Sequence, residues 1–353
     1  MSEPGSGTFI LDSFEAVREP WTRLAYESRN VFSTIEWAET WWRRFGRAER
    51  PLVVACRDGD ETTALLPLYV WSRRPVKVAR FIGHGPADQL GPICGPSGRA
   101  AAATALRHMA EKASIDLVLA ELLPGEERWG EALRQRPLRV EASPTISLAG
   151  GWNAYLERRS SNLRQQIRRR ERQLRSRHEV RFRLASTQTL QDDLTLMFAL
   201  HRARWAAGGS AFLRFEAFHR ELAPLADERG WLRLWFLDLD DRPVATWYGF
   251  RFADVESYYQ AGRDPSVRDA SVGLVLLAHS IREAAEDGMA EYRLLRGDER
   301  FKLRLANDDP GVETFALAQG FRGALVRSAA AVALRSDSAR SALRRLAGRS
   351  AAT

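Results

Sequence analysis

Arg268-Asp269-Ala270-Ser271-Val272-Gly273, running straight into Leu274-Val275-Leu276-Leu277-Ala278, decides how this chain is read. The stretch lies between a strand-like run, Val255 to Ala261, and an amphipathic helical pattern. A basic residue, small residues and a helix start, in that order, suit a phosphate group. The first turn of a helix leaves backbone N–H groups without intrahelical partners and carries the positive end of the helix dipole. Gly273 lets an anion approach the main chain closely, and Arg268 supplies charge. The alternative is plain: Ser271 is the N-cap of a helix that follows a polar loop.

Outward from this loop, hydrophobic periodicity sets out the second half of the chain. One long helix is expected from about Trp152 to Ser176, and another from Leu190 to Trp205. A polar connection leads to strands at Trp231 to Asp238 and Val244 to Phe252, around the turn-prone Asp240-Asp241-Arg242-Pro243. After the third strand and the loop come a helix to about Asp287 and a strand from Glu291 to Leu295. The first half has a similar rhythm. Ser33 and Glu36 resemble a capping box ahead of a helix with Trp37, Trp41, Trp42 and Phe45. Strands follow at Leu52 to Cys56 and Thr63 to Trp71, then a Gly- and Pro-rich region from Phe81 to Pro96. A helix near Arg99 to Lys112 leads to a buried strand, Ile115 to Leu123. The repeated order points to two related α/β domains, at 13–150 and 151–325, followed by a basic tail at 326–353.

Composition agrees with a folded chain of this size. The 353 residues are 45% hydrophobic, with 11 Trp and 16 Phe, enough for two cores. Cys56 and Cys94 are the only cysteines and fit no metal spacing, so a disulfide scaffold is not expected and a reducing compartment is. The opening residues lack the basic and apolar regions of a signal peptide, and no apolar run approaches a membrane span. The expectation is a cytoplasmic protein with no integral membrane association and no metal. Net charge is +8, and nine arginines lie between Arg158 and Arg177, with Glu171 among them. They spread around the expected helix without interleaved aromatics. A solvated face therefore accounts for them better than a nucleic-acid surface.

Several segments resemble the GNAT acetyltransferase fold, and within it the CelD/BcsL-like acetyltransferase group, which shares a tandem architecture with Fem-type aminoacyltransferases. They are Leu66-Pro67-Leu68-Tyr69, Leu200-His201-Arg202-Ala203-Arg204-Trp205, Asp241-Arg242-Pro243-Val244-Ala245 and Tyr258-Tyr259-Gln260-Ala261-Gly262-Arg263-Asp264-Pro265. Ser271-Val272-Gly273 and Gly297-Asp298-Glu299-Arg300-Phe301-Lys302 complete the set. Val272 stands where the group often has proline and Phe301 where it has tyrosine. The resemblance implies an α/β fold of tandem GNAT-like domains, each a mixed sheet flanked by helices, the first of them degenerate. It implies an N-acyltransferase that uses acetyl-CoA or another acyl-CoA and acylates an amine on a small molecule, sugar or cell-envelope precursor. A Fem-like enzyme taking aminoacyl-tRNA, with tRNA as partner, is the alternative, as is a non-catalytic accessory protein.

By the same resemblance, Arg268, Ser271, Val272 and Gly273 hold the donor, and a backbone N–H of Tyr258 to Gly262 stabilises the oxyanion. Lys302, Asp264, Glu299 and His201 are the candidate catalytic groups, and Arg204, Trp205 and Tyr259 the candidate acceptor contacts. Each has a structural reading beside it. His201 shares a helix face with Leu194, Met197, Phe198 and Trp205 and suits a hydrogen-bonded core histidine. Asp264 and Glu299 suit turn or ion-pair roles, and Lys302 a solvated helix lysine.

Overall fold

The run Val244 to Phe250 is buried at every position. A strand hidden on both faces belongs in the middle of a sheet covered by helices on either side. The computed structural model describes residues 7–11, 13–46, 50–73, 76–112, 115–206, 209–267, 271–318, 323–325 and 327–328, and in it the chain divides into two units. The first takes the described parts of Met1–Ser28, Phe32–Glu141 and Pro310–Thr353, and the second Arg29–Val31 and Ala142–Asp309.

The first unit contains β1 (Gly7–Leu11), α1 (Arg18–Ser28), α2 (Ile35–Phe45), β2 (Arg50–Asp58), β3 (Glu61–Arg73) and β4 (Val76–Phe81). It continues through β5 (Ile93–Cys94), α3 (Arg99–Lys112), β6 (Leu117–Pro124), α4 (Trp129–Leu133) and β7 (Arg139–Glu141). The second unit contains β8 (Thr145–Ser147), α5 (Gly151–Glu157), α6 (Ser161–Arg175), β9 (Val180–Leu184), α7 (Leu190–Arg204) and α8 (Glu216–Glu228). It ends with β10 (Leu232–Leu239), β11 (Arg242–Phe252), β12 (Val255–Arg263), α9 (Val272–Glu286), β13 (Glu291–Arg293) and α10 (Arg300–Leu305). The chain then returns to the first unit as β14 (Val312–Ala318).

Both sheets are mixed and follow one plan. In the first, β2, β3 and β4 are antiparallel, and β4 is parallel to β6 across the α3 crossover. In the second, β9 to β12 are antiparallel, and β12 is parallel to β13 across α9. The two-domain α/β architecture expected from the sequence is therefore present. What the sequence did not show is the origin of the strand beyond each parallel pair. β14, which follows the whole second unit in sequence, lies between β6 and β7, while β8, the first strand of the second unit, flanks β13.

Local differences have physical causes. The helix over the early tryptophans is capped by Thr34, whose side chain accepts from Trp37 N, rather than by Ser33. The single long helix expected after Trp152 is two helices. Ser160 ends the first stretch and caps the second, its hydroxyl accepting from Leu163 N at 3.3 Å. The connection after α7 contains α8, whose internal Pro224 obscured its helical period.

In the second unit, α5, α6 and α9 cover one face of the sheet around Trp247, Tyr258 and Tyr292. Tyr248 and Tyr259 belong to the other face, where they meet His219 and Phe212 beside α7 and α8. No helix among the described residues is long and apolar enough to cross a membrane. Cys56 and Cys94 are free and buried, and burial raises their thiols to about 11 and about 12. Neither forms a thiolate nucleophile near neutral pH.

Candidate active site

The parallel pairing of β12 with β13 stops early. Val255, Glu256 and Ser257 face Glu291, Tyr292 and Arg293, and β12 then runs on to Arg263 without a strand partner on that side among the described residues. A bulge against β11 falls at the same place. Tyr248 pairs with Gln260 and Gly249 with Tyr258, leaving Tyr259 as the extra residue. The divergence leaves main-chain groups of β12 free of the ladder and opens a cavity of about 340 Å³ beside it. Thr246, Trp247, Tyr258, Ala261, Gly262 and Arg263 line its sheet side. Ser271 to Leu274, with Leu276 and Leu277, line the side formed by the start of α9, and Arg204, Val267 and Phe301 complete the wall.

The helix start at this cavity is not a side-chain cap. Ser271 occupies the N-cap position in the left-handed region, with φ +48°, and its side chain makes no capping hydrogen bond. Its carbonyl accepts from Leu274 N at 2.9 Å and Val275 N at 3.1 Å, which seats the first turn. The amides of Val272 and Gly273 come ahead of those bonds, at the dipole's positive end. A Cβ placed on Gly273 would meet nothing within 4 Å, so this glycine faces open space. Of the donor-binding set expected from the sequence, Ser271, Val272 and Gly273 come together here. Arg268 lies outside the described residues, as does the tail from residue 329 onward.

Arg204 reaches the cavity from the last turn of α7. It donates to the Ala261 carbonyl at 3.4 Å, hydrogen-bonds the Tyr258 phenol, and sits over the Trp205 ring. Tyr258 packs edge-on to Phe301 at 6.2 Å and against Trp247 at 6.0 Å. Burial raises its phenol above the ordinary tyrosine range, against the lowering effect of Arg204, so it is protonated at neutral pH.

The other expected residues stand around the cavity rather than in its lining. His201 is fully buried. Its Nδ1 lies 2.9 Å from the Ala261 carbonyl and its Nε2 2.8 Å from the Ser210 hydroxyl. A carbonyl only accepts, so Nδ1 carries the proton and Nε2 accepts from Ser210. Burial lowers this imidazole to about 4, so it is neutral and acts as a rivet between α7 and β12. Gly262 completes the rivet: a Cβ there would lie 2.5 Å from His201 N.

Asp264 accepts from Ser266 N at 2.8 Å and the Ser266 hydroxyl at 2.7 Å, and pairs with Arg242. These bonds, the Ser266 hydroxyl first, hold its carboxyl below the usual range. Lys302 is buried, not solvated. Its Nζ donates to the Arg296 carbonyl at 2.7 Å and pairs with Glu299 at 3.1 Å. It braces the turn at Gly297, where φ is +130° and a Cβ would fall 2.9 Å from that Nζ. The brace fixes α10, which delivers Phe301 to the cavity. Trp205 is partly exposed and outside the lining, and Tyr259 points to the opposite face, its hydroxyl 3.4 Å from His219 Nε2.

The residues that sequence reasoning missed as side chains are Trp247, Tyr258, Leu276 and Leu277. Strand alternation separates Tyr258 from Tyr259, and helical spacing groups 272, 273, 276 and 277 on one face, so part of the signal was there. No histidine or carboxylate lines the cavity among the described residues, and no cluster of His, Cys, Asp or Glu there could hold a metal.

Residues 161–303 match an acetyltransferase (GNAT) domain. No curated protein matches the sequence. Among solved structures, FemX aligns with a TM-score of 0.61 at 10% identity, covering 89% of this chain and 95% of its own. A conserved protein of unknown function from Bacteroides thetaiotaomicron aligns with a TM-score of 0.60 at 13% identity, covering 88% of this chain and 99% of its own. The C-terminal domain of a putative lysylphosphatidylglycerol synthetase from Agrobacterium fabrum aligns with a TM-score of 0.57 at 10% identity, covering 91% and 97%. At such identities the structures speak for the fold alone. Fold and sequence match together define a GNAT-type acyltransferase domain in the second unit.

Proposed function

We propose that this chain is an acyl-CoA-dependent N-acyltransferase acting on an amine, with the donor in the cavity of the second unit. The observation that carries the reading is the coincidence of two features at one cavity. They are an uncapped helix start with Gly273 facing open space, and a strand edge stripped of its partner beyond Ser257. The first suits a pyrophosphate and the second an extended amide-bearing arm that pairs with main chain, while Trp247, Leu276, Leu277 and Phe301 supply apolar walls. The open space before these amides also speaks against an accessory protein with a filled site.

The chemistry then needs little from side chains. A neutral amine attacks the thioester carbonyl, the N–C bond forms and the C–S bond breaks. Backbone N–H groups on the free edge of β12 stabilise the developing oxyanion. The amine's proton leaves to solvent. Tyr258, kept neutral by burial and positioned beside Arg204, gives its proton to the departing sulfur and regains one from solvent. Subgroup membership in the CelD/BcsL-like acetyltransferases is consistent with this scheme.

The test is calorimetric titration of the full chain with acetyl-CoA and longer acyl-CoAs, followed by turnover with an amine panel. Binding, with a Tyr258→Phe variant that keeps affinity and loses at least tenfold in kcat, is the expected result. A folded wild type that binds no acyl-CoA refutes the reading and returns the donor to aminoacyl-tRNA or to no donor at all.

A further inference from the structure

A second concavity, of about 1100 Å³, lies between α6 and α10 of the same unit. Its lining includes Arg168, Arg169, Arg172 and Arg175 from α6 and Arg300 and Arg304 from α10, with Glu171 as its one acid. The arginines of α6, which looked dispersed in the sequence, are sorted by the helix. Leu163, Ile167 and Leu174 are buried, and positions 168, 169, 172 and 175 are left together on the exposed side. Arg175 pairs with Glu171 at 3.1 Å, and Arg304 donates to Gln166 at 2.7 Å. Arg168, Arg169, Arg172 and Arg300 have no ion-pair or hydrogen-bonding side-chain partner among the described residues. Structural arginines of this unit are typically engaged, as Arg251 is with Glu256 and Asp287. Four unengaged guanidinium groups in one concavity raise the local potential and favour an anion.

We infer that this groove is a binding site for a ligand carrying a diphosphate group. Charge matching sets the class. A monophosphate carries about two charges and leaves half of the free guanidinium groups unmatched, whereas a diphosphate ester or pyrophosphate carries about three to four. The wall has guanidinium and amide groups, from Asn162, Gln165 and Gln166, and no aromatic or aliphatic side chain. Recognition here is by charge and forked hydrogen bonds, not by stacking on a base. The cations line both sides of a hollow, so they converge on a group that enters it rather than on the outside of a broad duplex. α10 contributes to both hollows, Arg300 and Arg304 to this groove and Phe301 to the acyl cavity. A ligand anchored here by its diphosphate lies beside a helix that also walls the acyl cavity. That this ligand is the amine acceptor rests on the acyl-transfer reading; the binding itself does not.

The experiment titrates the full chain with inorganic pyrophosphate, uridine diphosphate and farnesyl diphosphate at two salt concentrations. It is done in a Gly273→Asp background, so that the start of α9 does not contribute. The organic arms distinguish a nucleotide from a lipid source, and preference for either supports the site. Arg168→Gln with Arg172→Gln, both exposed, is expected to weaken binding at least tenfold, and Arg300→Gln to weaken it independently. Acetyl-CoA binding in the otherwise wild-type chain is measured alongside, so failure of the groove and failure of the donor site are read separately. Unchanged binding in the double variant overturns the inference, as does the absence of any pyrophosphate binding at low salt. So does a short RNA duplex that binds through the same arginines at least tenfold more tightly than pyrophosphate.

Discussion

Replacing Gly273 separates the folding role of the α9 start from its proposed role in binding. An added Cβ meets nothing within 4 Å, and the residue does not need a positive φ, so the fold has no steric objection to a side chain. Gly273→Ala should raise stability by up to about 1 kcal/mol, since glycine is a poor helix former. Gly273→Asp should do about as well, because a carboxylate in the first turn gains roughly 0.3–1 kcal/mol from the helix dipole. Donor binding should move the other way. A carboxylate about 5 Å from a bound phosphate charge costs about 3 kcal/mol at an effective dielectric constant near 20, or more than 100-fold in affinity. Alanine introduces bulk without charge and should cost less. The assay is acetyl-CoA titration beside denaturant unfolding of the three proteins, with the aspartate penalty shrinking at high salt. If Gly273→Asp is folded and binds acetyl-CoA as the wild type does, the amides of this turn do not hold the pyrophosphate.

Two further outcomes concern the scaffold. His201 titrates at about 4 in the fold and near 6.5 when unfolded, so its contribution is present above pH 6.5 and is lost as pH falls toward 4. Between pH 7.5 and 5.5 that loss is about 1.4 kcal/mol, and the stability gap between wild type and His201→Gln should narrow by this amount in denaturant titrations; a gap that does not change with pH would show that His201 is not buried neutral. Gly262→Ala places a Cβ 2.5 Å from His201 N and 2.6 Å from the Leu200 carbonyl carbon, so α7 must move. A cost of about 1–3 kcal/mol and a lower Tm are expected, and an unchanged Tm would mean that α7 is not seated on this glycine.

Much of the fold was legible because period alone carries it. Strands β10 to β12 and helix α9 fall where alternation and helical spacing put them, as does α3. Legibility failed where a single residue interrupts a pattern. Ser160 splits one apparent helix into two, and Pro224 hides another. The Tyr258-Tyr259 pair shows the same limit at the site. The motif marks both residues, but the sheet sends one phenol toward α9 and the other toward His219.

The sequence by itself determined two repeats of strands, helix and strand, and the helix start at Ser271 to Gly273, because those features are local and follow from side-chain period and backbone freedom. Only the tertiary structure decided which charged groups are engaged and which are free. It turned Lys302 and His201 into braces, gathered four free arginines into one groove, and opened a cavity where β12 parts from β13. Side-chain period alone fixes none of these: Lys302 folds back onto Arg296 through the turn at Gly297, His201 meets Ala261 on another strand, and Arg304 reaches Gln166 on another helix. No local pattern encodes them.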